Sequence, residues 1–185
     1  DAASQLKSKH YETQVAAGRM DEAVAFAREW VATSPADMTA RLALANGAQS
    51  LGRFPEAAEH YQRVLTVQPS NIMAINNLAL VYLQQGDSKA VETAQRAVEK
   101  APENIAVLDT AGWILVKSGK VQEGFGFLEK ALDRAKDHPT VRFHYAYAAA
   151  KSGRPAQAKT MLQSLLKTNT AFEGKEEAVA LLATL

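Results

Sequence analysis

Apolar residues in the middle of the chain fall on the period of a helix face. Ile75, Leu78, Ala79 and Tyr82 share one stripe, the polar stretch Gln84-Gln85-Gly86-Asp87 interrupts it, and Ala90, Ala94 and Ala97 resume it. A stripe of that period on each side of a break predicts two amphipathic helices joined by a turn. The break itself recurs. Gly18, Gly52, Gly86, Gly119 and Gly153 are spaced by 34, 34, 33 and 34 residues, and four of the five precede Arg or Lys. Five residues after each glycine stands a small residue, Ala23, Ala57, Gly124 or Ala158. The third copy reaches Ala90 after four, because one residue is missing there. Glycine suits the left-handed backbone that ends a helix. Pro35, Pro69 and Pro102 close the second helices, since proline lacks the donor a helix interior needs. The unit reads helix, turn, helix, stop.

This 34-residue unit resembles the tetratricopeptide (TPR) repeat, which carries Leu, a small residue, Tyr, Gly, Ala, Ala and Pro at set offsets. In NNLALVYLQQGDSKAVETAQRAVEKAP the matching residues are Leu78, Ala79, Tyr82, Gly86, Ala90, Ala97 and Pro102. The resemblance implies an all-α, right-handed superhelical solenoid of about five helix-turn-helix repeats with a C-terminal capping helix. The register places the repeats at 4–37, 38–71, 72–104, 105–138 and 139–172, and the cap at 173–185. Three departures stand out. The leading segment SQLKSKHYETQVAAG lacks the apolar set, Arg41 and Arg142 replace the large residue that opens a first helix, and Lys136 occupies the place of the fourth closing proline. The nearby His138-Pro139 is expected to supply that stop two residues late.

The stretch DTAGWILVKSGK sets glycine beside tryptophan inside a helical pattern. Gly112 stands where the two helices of a unit meet most closely, opposite Gly124, and losing both β-carbons allows tight packing. Trp113 lies about 100° further round the helix and so points elsewhere. In TPR proteins the first helices line a concave groove. By that resemblance Asn46, Gln49, Asn76, Leu80, Leu83, Asp109, Trp113, Phe143, Tyr147 and Lys151 face the groove, amide-rich at one end and aromatic at the other. The aromatics read either as packing between adjacent helices or as a wall for a protein or peptide partner, or for a polysaccharide. Asp109 is either a groove acid for a cationic partner or a solvated one. The two-carboxylate clamp of some TPR proteins corresponds here to Leu42, Asn46, Asn77, Ala106 and Thr110, which retains two asparagines and no cation.

Composition narrows the chemistry. A formal net charge of +1 with 22% charged residues gives no basic face for nucleic acid, and no apolar run is long enough to span a membrane. The absence of cysteine excludes disulfides, thiolate metal sites and a cysteine nucleophile. His10, His60, His138 and His144 are scattered without a metal-binding spacing, and Ser34, Ser70, Ser118 and Ser152 sit at helix ends. No catalytic residue, metal site or cofactor is expected. Gly126 has no role in the repeat pattern.

The runs AVLDTAGWILVKSGKVQEGFGFLEKAL and HPTVRFHYAYAAAKSGRPAQAKTMLQSLL, with the ending FEGKEEAVALLATL, resemble the C-terminal repeats of bacterial envelope TPR proteins. Among these, residues 70–185 are most similar to the TPR-repeat lipoproteins of the PEP-CTERM and exosortase system (PrsT), associated with exopolysaccharide production. That resemblance implies a non-catalytic scaffold on the periplasmic side of the envelope. The start at Asp1 is that expected of a fragment, with any signal or lipid anchor upstream.

Overall fold

The computed structural model describes residues 2–168 and 171–185, and these form eleven α-helices with no strand among them. Five pairs follow one another: α1 (Ala2–Ala16) with α2 (Met20–Thr33), α3 (Met38–Ser50) with α4 (Phe54–Val67), and α5 (Ile72–Gln85) with α6 (Lys89–Lys100). Then come α7 (Ile105–Lys117) with α8 (Val121–Arg134), α9 (Pro139–Lys151) with α10 (Pro155–Thr168), and the single helix α11 (Lys175–Ala183).

The turn inside every pair is made the same way. In each, the residue after the glycine donates its N–H to the carbonyl five residues back, as Asp87 does to Tyr82 at 2.9 Å, while the glycine itself bonds three back. This is the Schellman closure of a helix end, and it requires a left-handed residue at the bend. Gly86 supplies it at φ +67°, and the other four turn glycines lie between +69° and +84°.

The joints between pairs use a side chain instead. Asp37, Asn71 and Asn104 hold the N-cap position of α3, α5 and α7, and each accepts backbone N–H bonds from the first turn. Asp37 also accepts from the Trp30 indole at 3.1 Å, which ties the end of α2 to the start of α3. At the fourth joint His138 takes this place without capping, and Pro139 is the first residue of α9. The expected late stop is therefore a start: α8 has already ended at Arg134, and proline at the first helical position loses only a donor that had no partner there. Arg41 is not a loose end either, since it donates twice to the Pro35 carbonyl in the preceding joint.

The chain divides into two compact units, residues 1–93 and 94–185. In the first, consecutive helices pack together, and α1, α3 and α5 also touch in sequence as a layer of first helices. Its core joins Val24, Trp30 and Leu44 to the alanines Ala23, Ala27, Ala40 and Ala43. Helix α1 buries only Tyr11, in keeping with its polar sequence. In the second unit α7, α9 and α11 form the corresponding layer, with α8 and α10 behind it. Leu128, Tyr145, Ala148, Ala149 and Ala158 centre its core, with the partly buried Leu185 packed against it, and α11 buries Ala178.

Gly112 and Gly124 meet as backbone. A β-carbon on Gly112 would lie 2.6 Å from Leu128 Cγ and 2.8 Å from the Gly124 carbonyl. Gly126, two residues along, faces open space. Gly112→Ala is therefore expected to destabilise by about 1–3 kcal/mol through overpacking, while Gly126→Ala stabilises by about 0.5–1 kcal/mol through helix propensity. Urea unfolding of the two variants checks the opposite signs. A second expectation concerns Asp37. Burial pushes its carboxyl up, but hydrogen bonds from Ser4, the Ala40 and Thr39 N–H groups and Trp30 outweigh that and hold it below the usual carboxylate range. Asp37→Ala should cost about 1–2 kcal/mol at neutral pH. Because the folded carboxyl is the stronger acid, its contribution is complete above the ordinary carboxylate range and fades as the pH falls through the folded value. Wild type and variant should converge in acid when unfolding is followed across pH.

Candidate partner-binding site

Helices α7 and α9 lie side by side in the second unit. Asp109, Trp113 and Lys117 follow one another at four-residue steps along α7, so their side chains line one edge of it. The glycine contact with α8 accounts for that orientation: residue 112 is pressed against the second helix, and residue 113 is turned toward α9. There Trp113 stacks face to face on His144, with ring centres 4.2 Å apart and planes 15° from parallel. Phe143 and Tyr147 pack against the same indole at 5.7 and 5.1 Å.

Below the stack, His144 Nδ1 lies 2.9 and 3.0 Å from the two Asp109 oxygens, and the two side chains are only 12% and 13% exposed. A carboxylate only accepts, so Nδ1 carries the proton. The pair orients the imidazole, and the imidazole in turn holds the indole. Above the stack the charges change sign. Lys117 Nζ stands 5.0 Å from the Trp113 ring and 5.1 Å from that of Tyr147, and Lys151 Nζ stands 5.6 Å from Tyr147. Lys117 also donates to Glu177 of α11 at 3.1 Å.

The first unit carries a separate cluster of amides around Tyr61 of α4. The Tyr61 hydroxyl lies 2.6 Å from Asn46 Oδ1 and 2.8 Å from Gln49 Oε1, and with one proton it donates to one of them at a time. Asn77 donates to Asn46 at 3.2 Å and to the Tyr61 oxygen at 3.3 Å. Burial pushes the Tyr61 hydroxyl well above the usual phenol range, so it remains a proton donor. Asn76 is 8% exposed, and its amide reaches Asn77 at 3.4 Å.

These positions correct several expectations. Phe143 is 1% exposed and belongs to the core, held between Trp113, Tyr147 and Phe172, so it offers no face to a ligand. Trp113 is itself 9% exposed and is a support rather than an open platform. Asp109 is neither a solvated acid nor one free for a cationic partner, because His144 engages it. Asn46 and Gln49 are committed to Tyr61, which lies on a second helix and so escaped a reading confined to first helices. Asn76 is buried, while Leu80 and Leu83 are half-buried. Of the aromatic residues expected at the site, Tyr147 keeps accessible surface, and Lys151 beside it is exposed. Lys117 and Glu177 are additions. The first had a visible signal, since Lys117-Ser118-Gly119 and Lys151-Ser152-Gly153 repeat one unit apart.

Among the described residues no three His, Cys, Asp or Glu gather around a common metal position, and no helix is long and apolar enough to cross a membrane. Two family models, each described as tetratricopeptide repeat, match residues 42–105 and 115–185. The chain is a tetratricopeptide-repeat protein. Its relatives include the photosystem I assembly protein Ycf3 of Synechococcus sp. (strain CC9605), 30% identical over 97 residues, or 49% of this chain and 56% of the relative. The TPR chain thus spans about half the length of the curated relatives of that group. Among solved structures, a thermophilic TPR protein from Thermus thermophilus superposes with a TM-score of 0.81 at 18% identity, covering 97% of this chain and 99% of its own. YrrB, described as a TPR protein with an unusual peptide-binding site, gives 0.66 at 16% identity over 97% of this chain and 91% of its own. These likenesses establish the TPR fold.

The stack predicts its own dissection. His144→Ala removes the ring under Trp113 and leaves the enclosed Asp109 carboxylate without its donor, which should cost about 1–3 kcal/mol. The Trp113 indole N–H resonance should shift while that of Trp30 stays in place. His144→Phe, which keeps the ring but not the donor, should restore the indole resonance more than the stability.

Proposed function

We propose that this TPR protein is a non-catalytic interaction module, and that the first-helix face of residues 94–185 holds a segment of a partner protein. The observation that carries the reading is the arrangement around Tyr147. A half-buried aromatic ring sits on a wedge braced by Trp113, His144 and Asp109, and two ammonium groups flank it. A rigid aromatic with a polar tip, backed by buried rings and rimmed by charge, is the kind of anchor that dominates protein recognition. Bracing lowers the ordering cost of binding, because the ring's position is set before a partner arrives. The TPR family and the peptide-binding site in the description of YrrB support the choice of a protein or peptide ligand. The assembly role in the name of Ycf3 supports a scaffold over a catalyst.

The finer setting is part of the proposal. The resemblance of residues 70–185 to envelope TPR lipoproteins supports a partner in the bacterial cell envelope, on the periplasmic side, in exopolysaccharide production or PEP-CTERM protein sorting. A polysaccharide ligand is the weaker alternative. Sugar rings stack on open aromatic faces, whereas Trp113 and Phe143 are enclosed and ammonium groups stand over Tyr147.

Affinity capture from envelope extract of a polysaccharide-producing bacterium tests the reading, with wild-type and Tyr147→Ala chains immobilised side by side and both proteins and glycans identified. The expected outcome is a protein retained by the wild type and lost from the variant, with helix content unchanged by circular dichroism. An identical set of proteins on both chains would overturn the assignment of this face. Glycans retained in the absence of protein would put the polysaccharide reading first.

A further inference from the structure

Lys117 and Lys151 occupy the same register in successive repeats, each two residues before a turn glycine, on first helices that lie side by side. Their ammonium groups converge on one ring, 5.1 and 5.6 Å from the centre of Tyr147. Two of the acids nearby are already engaged. Asp109 is held by His144 beneath the indole, and Glu177 is drawn onto Lys117. Lys151 is exposed and, among the described residues, has no carboxylate within 4.0 Å. The face therefore carries unmatched positive charge beside an accessible aromatic ring.

Glu177 shows what such a face accepts. It comes from the first turn of α11, Lys175-Glu176-Glu177. The preceding Gly174 is seated so closely on the Phe143 ring that a β-carbon there would collide with it. The chain thus lays its own acidic segment against α9 and delivers one carboxylate to one of the two lysines. With the Lys117 and Glu177 side chains 34% and 42% exposed, this ion pair is a weak one that another carboxylate can replace.

We propose that Lys117 and Lys151, set over Tyr147, form an acceptor for side-chain carboxylates of an acidic partner segment, and that Glu177 is an internal occupant which the partner displaces. This rests on the assignment of the same face to partner binding and adds the chemistry of the partner. One carboxylate on Lys151 meets a charge that has no counter-ion, and a second exchanges with Glu177 on Lys117. An apolar or aromatic residue between the two acids would lie on Tyr147.

Selection of random dodecapeptides against the full chain tests this. The peptides are displayed as fusions through their C-termini, so that only side-chain carboxylates are offered. Clones are sorted by whether Tyr147→Ala abolishes their binding. The expected result is enrichment of Asp and Glu among the Tyr147-dependent clones. For a synthetic peptide of the selected sequence, the Lys117→Gln/Lys151→Gln chain should bind about five- to tenfold more weakly, and Glu177→Gln about two- to fivefold more tightly. Raising salt from about 50 to about 500 mM should weaken the wild-type complex and narrow both differences. Tyr147-dependent clones that are neutral or basic would overturn the acidic-partner inference and leave the binding face standing. So would a Glu177→Gln chain that binds no more tightly than the wild type. Failure to recover any Tyr147-dependent clone would overturn both.

Discussion

Helices α7 and α8 meet backbone to backbone at Gly112 and Gly124, and the candidate site depends on that contact. The same register positions are small in the neighbouring pairs, with Ala45 and Ala57, Ala79 and Ala90, and Ala146 and Ala158 all at 0–3% exposure. A helix pair whose meeting point carries small residues can close tightly, and the larger apolar side chains are then turned toward the adjacent pair. A single pair of helices buries too little to be stable alone, so this outward turn is what makes a repeat array cohere. In the fourth pair both residues have lost the β-carbon, and α7 is pressed onto α8 more closely than alanine would permit.

From that contact follows the layering of the second unit. With residue 112 given over to α8, residues 109, 113 and 117 fall along the edge that meets α9. A carboxylate, an indole and an ammonium are thereby stacked along one helix. The partner helix answers each of them, His144 for the acid and the indole, Tyr147 for the indole and the ammonium. The lower half of the stack is enclosed and holds the Asp109–His144 pair, which suits a brace. The upper half is exposed and charged, which suits contact with something else. In the first unit the polar side chains are arranged differently. There the amides of Asn46, Gln49 and Asn77 converge on one buried hydroxyl.

The repeat period, the five turns and the helix pairs were legible because they rest on local rules. A left-handed residue must end a helix of this kind, and glycine reaches that conformation most readily. The joints were less legible, although Asp37, Asn71 and Asn104 recur at the repeat spacing. Proline drew attention as the marker of an ending, but Pro139 begins a helix, because proline is tolerated at both places and only the hydrogen-bond pattern separates them. The groove register mixed two populations of residue. Phe143 and Tyr147 are one helical turn apart on α9, yet the first is closed in by Phe172 and the second is not.

The sequence by itself determined the all-α repeat architecture, the glycine turns, the glycine contact that aims Trp113, and the absence of thiol chemistry, since each follows from residue type at a regular spacing. The tertiary structure decided which of the aligned residues remain accessible. It brought His144 onto Asp109 across 35 positions and Glu177 onto Lys117 across 60. Pairings of that kind depend on how one helix sits against another, and a side chain's exposure is set by neighbours that no local pattern in the chain specifies.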